Sequence, residues 1–194
     1  MSWQPSGDWA KMGVLIKTDR LILREYRETD FEGVHIYSKD PETVKFMLWG
    51  PNTPEDTHNF IQLAIAQQSI ETRVNYHFVV TLRETGQIIG GCGIHLRRPE
   101  HRGAEIGYCF NQQFWGQGYA TEATGALLKF GFKDLGLHRI IATCDPHNLG
   151  SERVMQKNGL RKEAHFVEEL WQGKFNEWRD SLLYAILESE WLKI

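Results

Sequence analysis

The residues best suited to chemistry lie close together in Phe110-Asn111-Gln112-Gln113-Phe114-Trp115-Gly116-Gln117-Gly118-Tyr119-Ala120. Two glycines follow a glutamine in the order Gln113-x-x-Gly116-x-Gly118, between a run that reads as a strand and one that reads as a helix. A helix start offers unpaired N–H groups and partial positive charge, and glycine lets backbone curl around an anion with no Cβ in the way. Such a loop can seat a pyrophosphate. A dinucleotide-binding fingerprint needs a third glycine where this chain continues Tyr119-Ala120, and a P-loop needs Gly-Lys followed by Ser or Thr, which is missing. Taken alone, the loop is also compatible with a turn that only joins a strand to a helix. The nearest approach to a metal site is Cys144 with His147, with no second pair at ligand spacing, so no metal is expected. Cys109 stands beside the loop with no base assigned to it, which leaves no Cys–His or Ser–His nucleophile.

The elements that must position this loop follow from periodicity. Residues 20–26 alternate as a first strand, and Thr29-x-x-Glu32 reads as a capping box opening a helix to Ser38. Asp40-Pro41 and Thr53-Pro54 each place proline at a first helical position, the second ahead of an amphipathic segment reaching Glu71. Residues 76–82 and 87–95 form a hairpin around Arg83-Glu84-Thr85-Gly86, and residues 103–110 continue the meander after a charged stretch. Ala120, Ala123, Leu127 and Phe130 share one face of a helix over residues 117–135. A strand over 139–144, a helix over 148–158 stopped by Gly159, and strands over 161–170 and 175–187 complete the chain. The sum is an α+β domain with a mixed, mostly antiparallel sheet flanked by helices, expected over residues 18–194. Residues 1–17 carry Pro5, Gly7 and Gly13 without period and read as an amino-terminal arm.

With its companions, the loop resembles the acetyl-CoA loop of the GNAT family of N-acetyltransferases. Ala104-Glu105-Ile106-Gly107-Tyr108 precede it, and Asp145-Pro146-x-Asn148-x-x-Ser151 and Lys157-Asn158-Gly159-Leu160 follow it. The set is similar to the branch that includes bacterial ribosomal-protein N-terminal acetyltransferases. This resemblance implies a GNAT fold and transfer of acetyl from acetyl-CoA to a primary amine by direct attack. The acceptor is then a protein N-terminus, or a small molecule such as a polyamine, amino acid or drug; an idle acyl-CoA-binding module is the alternative without catalysis. It further implies a strand that splays from its neighbour at Phe110 to hold the pantetheine arm and the thioester carbonyl. Gln113, Gly116, Gln117, Gly118, Tyr119 and Ala120 bind the cosubstrate, and Asn148 bonds the pantetheine amide. Glu105 matches the general base, and Ser151 matches the acid that protonates the leaving thiolate, in the place where many relatives use tyrosine.

Each of those side chains also has a plainer reading. Glu105 can pair with a neighbouring arginine, Asn148 can be a helix N-cap, and Ser151 can be a polar residue of the first helical turn. Glu177, His147 and Asp145 are reserve bases. Arg97, Arg98, His101 and Arg102 read as a solvated loop, which an acidic substrate could also use, and Trp49 before Gly50-Pro51 falls where the family lines its acceptor site, with simple packing as its plainer reading.

Composition excludes other classes. With 41% hydrophobic and 24% charged residues the 194-residue chain can bury a core, and a net charge of -3 gives no basic field for nucleic acid. Cys92, Cys109 and Cys144 are odd in number and far apart, as in a reduced cytoplasmic protein. Nothing in the first twenty residues reads as a signal peptide, and no run approaches the roughly 20 apolar residues of a membrane span.

Overall fold

The fold is taken from a computed structural model, which describes residues 13–193. Strands β1 (Leu15–Lys17), β2 (Leu21–Arg24), β3 (Asn75–Leu82), β4 (Ile88–Arg98), β5 (Gly103–Phe110), β6 (Arg139–Cys144), β7 (Arg161–Gln172) and β8 (Glu177–Leu187) form one sheet. Its order is β1-β2-β3-β4-β5-β6-β8-β7, antiparallel everywhere except between β5 and β6. Helices α1 (Phe31–Ser38), α2 (Pro41–Val44) and α3 (Pro54–Gln68) come before β3 in the chain. Helix α4 (Tyr119–Lys129) follows the glycine loop, α5 (Leu149–Lys157) follows β6, and α6 (Glu188–Trp191) follows β8.

Alternation along the strands divides the core in two. Tyr76, Phe78, Ile94, Ala104 and Ile106 pack beneath Ala123, Leu127 and Leu128 of α4 and Met155 of α5. On the opposite face Val79 and Cys109 meet Val34 and Tyr37 of α1, Val44 of α2, and Ile61 and Ala64 of α3. Because strand side chains alternate, residues 75, 77 and 79 of β3, 91, 93 and 95 of β4, and 105, 107 and 109 of β5 share this second face.

Several boundaries differ from the sequence reading. The predicted arm includes β1, paired with β2, while residues 1–12 lie outside the described residues. Thr29 does not cap α1: a 3₁₀ turn over Glu28–Asp30 intervenes, and the Asp30 carboxylate accepts from Arg27 N–H at 2.8 Å. Strand β4 runs on to Arg98, so Arg97 and Arg98 are strand residues rather than loop. Helix α4 starts at Tyr119, and its last turn widens to a π-helix over Phe130–Asp134. Helix α3 stops at Gln68, and β8 begins at Glu177.

Candidate active site

The decisive feature is where β5 and β6 part. Their parallel pairing covers Gly103↔Arg139, Ala104↔Ile140 and Glu105↔Ile141 and then stops, although β5 continues to Phe110. Asn111 N–H donates to the Ile89 carbonyl at 2.9 Å, and antiparallel bonding alternates, so the odd residues of β5 bond β4. The N–H and C=O groups of Tyr108 and Phe110 therefore point at the gap. One of them is taken: the Phe110 carbonyl accepts from Trp115 Nε1 at 2.6 Å, leaving its N–H facing the wedge.

At the open end of the wedge lies the glycine loop. Gly116 and Gly118 have φ of +75° and +82°, conformations that favour glycine, and a Cβ on Gly116 would meet nothing within 4 Å. Gly118 is the N-cap of α4 and makes no side-chain cap, so the first N–H groups of the helix are not covered by it. Arg20, in the β1–β2 turn, braces the loop: Nη1 donates to the Gln117 carbonyl (3.0 Å), Nε to Glu122 (2.7 Å), and the guanidinium lies 4.5 Å from the Tyr119 ring centroid. Gln117 Nε2 donates to the Gln113 carbonyl at 3.2 Å, and Gln113 N–H to Asn111 Oδ1 at 3.0 Å. Positive-φ glycines, an uncapped helix start and a neighbouring arginine suit a pyrophosphate, and the wedge suits a narrow amide-bearing arm.

Ser151 and Tyr108 face each other across this wedge, with Oγ and phenol oxygen 2.9 Å apart; the phenol also reaches the Ser151 carbonyl at 3.1 Å. Burial raises the Tyr108 phenol, more than its bond to Ser151 lowers it, so it stays protonated. Asn148 caps α5 by accepting from Ser151 N–H at 3.1 Å, so its plainer reading is realised. Glu105 likewise has an arginine partner: one oxygen accepts from Arg97 Nε at 2.7 Å and the other from Thr143 Oγ1 at 3.2 Å. It is nonetheless the last residue of β5 that pairs with β6, with its side chain 20% exposed at the apex of the wedge.

On the α1–α3 face a cleft of about 560 Å³ opens beside the wedge. Its floor is Gly91 and Gly93 of β4 and Gly107 of β5; its walls include Tyr26, Tyr37, Met47, Trp49, Phe60, His77 and His95. Trp49 is 38% exposed and lines this cleft. The hairpin of β7 and β8 braces the same wall, Gln172 Nε2 donating to the Met47 carbonyl (3.0 Å) and Lys174 Nζ to the carbonyls of Val44 (2.5 Å) and Trp49 (3.3 Å). Cys92 and Cys109 are buried and Cys144 is half-buried; burial pushes the Cys109 thiol up to about 12, which makes it a poor nucleophile.

Among the reserve bases, Asp145 bonds His147 Nδ1 (2.9 Å) and Arg179 (2.9 Å), and Glu177 pairs with Arg179, so these side chains are engaged with one another. His77 and His95 were not singled out from sequence. The signal was present in Asn75-x-His77 and Gly91-x-Gly93-x-His95, polar or glycine residues at period two on otherwise apolar strands.

A family model described as an acetyltransferase (GNAT) domain matches residues 20–161. The chain belongs to the GNAT family of acetyltransferases. It is 40% identical over 176 residues to the uncharacterized N-acetyltransferase YnaD of Bacillus subtilis, covering 91% of this chain and 98% of the relative. The crystal structure of a GNAT acetyltransferase from Bacillus anthracis superposes with a TM-score of 0.81 at 41% identity, covering 91% of this chain and all of that one. More distant is the ribosomal protein uS5-alanine N-acetyltransferase of Escherichia coli, 24% identical over 185 residues, 92% of this chain and 93% of that one. The chain is thus an N-acetyltransferase by family, with the α+β GNAT fold expected from its sequence. Among the described residues no helix is long and apolar enough to cross a membrane, and no group of three or more His, Cys, Asp or Glu is placed to hold a metal.

Proposed function

We propose that this GNAT enzyme acetylates the α-amino group of a peptide or protein N-terminus with acetyl-CoA. The observation that carries this reading is the junction of two spaces: the β5–β6 wedge, which runs from the glycine loop, meets the cleft floor at Gly107. Gln113, Gly116, Gln117, Gly118, Tyr119 and Ala120 hold the pyrophosphate end, with Asn148 at the mouth of the wedge. Phe110 N–H and the Tyr108 backbone hold the arm and the thioester carbonyl, and a donor at a developing oxyanion is worth about 3 kcal/mol. Glu105, at the apex, supplies the negative charge that favours removal of the amine's proton. Ser151, bonded to the protonated Tyr108 phenol, returns a proton to the departing thiolate. An α-amine of pKa near 7.7 to 8.0 is roughly a tenth neutral at pH 7, so it asks less of the site than a lysine does.

The cleft lining favours an N-terminus over a polyamine. Asp56 is the one carboxylate among its lining residues; the others are aromatic or apolar apart from Ser38, Asn52 and the imidazoles of His77 and His95, which is poor company for several ammonium groups. Phe175, in the β7–β8 turn whose Lys174 reaches the Trp49 carbonyl, is exposed and offers contact to a longer chain.

The test is to incubate the protein with acetyl-CoA and a panel of N-terminal peptides, polyamines and amino acids while following free thiol. Release with peptides bearing a free N-terminus, abolished by N-terminal blocking, is the expected result. Release with polyamines or amino acids alone would replace the acceptor, and acetyl-CoA binding without release from any acceptor would leave an idle binding module.

A further inference from the structure

The cleft contains two imidazoles with no role so far. His95 on β4 lies in one cross-strand row with Asn75 on β3 and Glu105 on β5; His77 lies in the next row, with Gly93 and Gly107. The rings of His77 and His95 meet edge to face with centroids 5.0 Å apart. Asn75 donates through Nδ2 to Gln67 Oε1 at 3.3 Å, which turns its Oδ1 towards His95 Nδ1 at 2.9 Å. A carbonyl oxygen only accepts, so the proton of neutral His95 sits on Nδ1 and the Nε2 lone pair is left free. That lone pair is on the glycine floor: a Cβ built on Gly93 would stand 3.6 Å from both His95 Nε2 and His77 Nδ1. Over the neighbouring Gly107 a Cβ would meet nothing within 4 Å, so the space between these nitrogens and the wedge is open.

We propose that His95 is the general base of the reaction, its Nε2 taking the proton of the acceptor ammonium, with Asn75 fixing the tautomer and Glu105 stabilising the imidazolium that forms. This rests on the proposed acetyl transfer and deepens it. The amine nitrogen then attacks the thioester carbonyl, the new C–N bond forms and the C–S bond breaks. Two protons leave the nitrogen in all; one ends on the CoA sulfur and the other passes from His95 to solvent. His77 is a positioning residue, holding the His95 ring edge to face.

The charged and titratable groups around His95 come from every packed element: Glu105 on β5, Arg97 on its own strand, Arg73 and His77 before and on β3, Tyr26, Tyr37 on α1 and Asp56 on α3. Burial lowers His95 below the usual imidazole range, more than Glu105 raises it, and Arg97 lowers it further. His77, pushed down to about 4 by burial and then by His95 and Arg73, is neutral near pH 7. Both rings are therefore in the form that accepts a proton.

The experiment compares the pH dependence of kcat/KM for wild type, His95→Gln and Glu105→Gln, with acetyl-CoA affinity measured by calorimetry. His95→Gln is expected to lower kcat about 100-fold or more, leave acetyl-CoA affinity unchanged, and abolish the acidic limb of the profile, leaving a rate that climbs towards the amine's own pKa. Glu105→Gln is expected to keep that limb and move it to lower pH, because the imidazolium loses its counter-charge. A His95→Gln protein within threefold of wild type, or one retaining the limb, overturns the proposal. If that variant does not fold, nitrogen NMR of the wild-type imidazoles decides: protonated Nδ1 and unprotonated Nε2 at neutral pH support it, and the opposite tautomer sinks it. A wild type that releases no thiol with any acceptor defeats the proposed function, while the tautomer still tells whether His95 is set up as a base.

Discussion

Gly107 sets how deeply an acceptor can reach, because it is a floor residue of the cleft at the point where the wedge begins. A side chain there meets no protein atom within 4 Å of its Cβ, and valine suits a strand, so Gly107→Val is expected to leave unfolding free energy within about 0.5 kcal/mol of wild type. It fills acceptor space instead. The acceptor KM is expected to rise about tenfold, near 1.4 kcal/mol, with acetyl-CoA affinity unchanged in calorimetry. Gly91, two floor positions away, behaves in the opposite way: its Cβ would collide with the Tyr26 hydroxyl and stand 3.0 Å from that of Tyr37. Gly91→Ala should therefore cost about 1–3 kcal/mol in urea unfolding, because two buried phenols must move. Reading Gly107 as part of the motif Ala104-Glu105-Ile106-Gly107-Tyr108 was possible from sequence. Seeing that Gly91, Gly93 and Gly107 make one floor was not, because it depends on the register of β4 with β5.

At the scale of elements, the glycine loop and α4 work only if their backbone is held, and Arg20 reaches across from the β1–β2 turn to do so. Its contacts to the Gln117 carbonyl, Glu122 and the Tyr119 ring are partly exposed, so Arg20→Ala should cost no more than about 1 kcal/mol of stability. Its larger effect belongs to binding. Acetyl-CoA affinity should weaken about fivefold as the loop loosens and a nearby positive charge is lost, with the acceptor KM little changed. Equal losses for both substrates, or none, would mean that Arg20 does not act through the loop. Most elements were legible because helix and strand periods are local: the pairing of the strands read at 76–82 and 87–95 and the stop at Gly159 stand as read, and the helix read over 117–135 is present but starts at Tyr119. Periodicity did not show where pairing ends. The resemblance implied a splay at Phe110, but β5 and β6 already part after Glu105, a point set by the sheet as a whole. The Thr29 capping box failed for a related reason, since Asp30 found the Arg27 N–H through a 3₁₀ turn that no local pattern announced.

At the scale of the whole molecule, the same desolvation that keeps the cleft imidazoles neutral makes folding sensitive to mild acid. His77 has a folded pKa of about 4, against 6.5 for an unperturbed imidazole, with burial as the leading cause, then His95 and Arg73. Between those two values the unfolded chain binds the proton and the folded chain does not, so stability falls as pH drops through the window and levels off below about 4. From pH 7 to pH 5 the loss for this one group is about 2 kcal/mol, and His95, also lowered by burial, adds in the same direction. Carboxylates act in a separate range: Asp40, Glu122 and Glu163 are held below their ordinary values, so the stability they confer is present above those values and is lost only as pH falls towards the lowered ones. Urea midpoints at pH 7 and pH 5 therefore report mainly on the imidazoles. Wild type is expected to unfold at distinctly lower urea at pH 5, and His77→Gln, which has nothing to protonate there, should show a clearly smaller difference between the two pH values. A midpoint that does not move between pH 7 and pH 5, or one that moves equally in His77→Gln, would mean that His77 is solvated enough to titrate in the folded protein. The cleft floor would then be wetter than its aromatic walls imply, and a wet cleft would hold the acceptor amine in its protonated form.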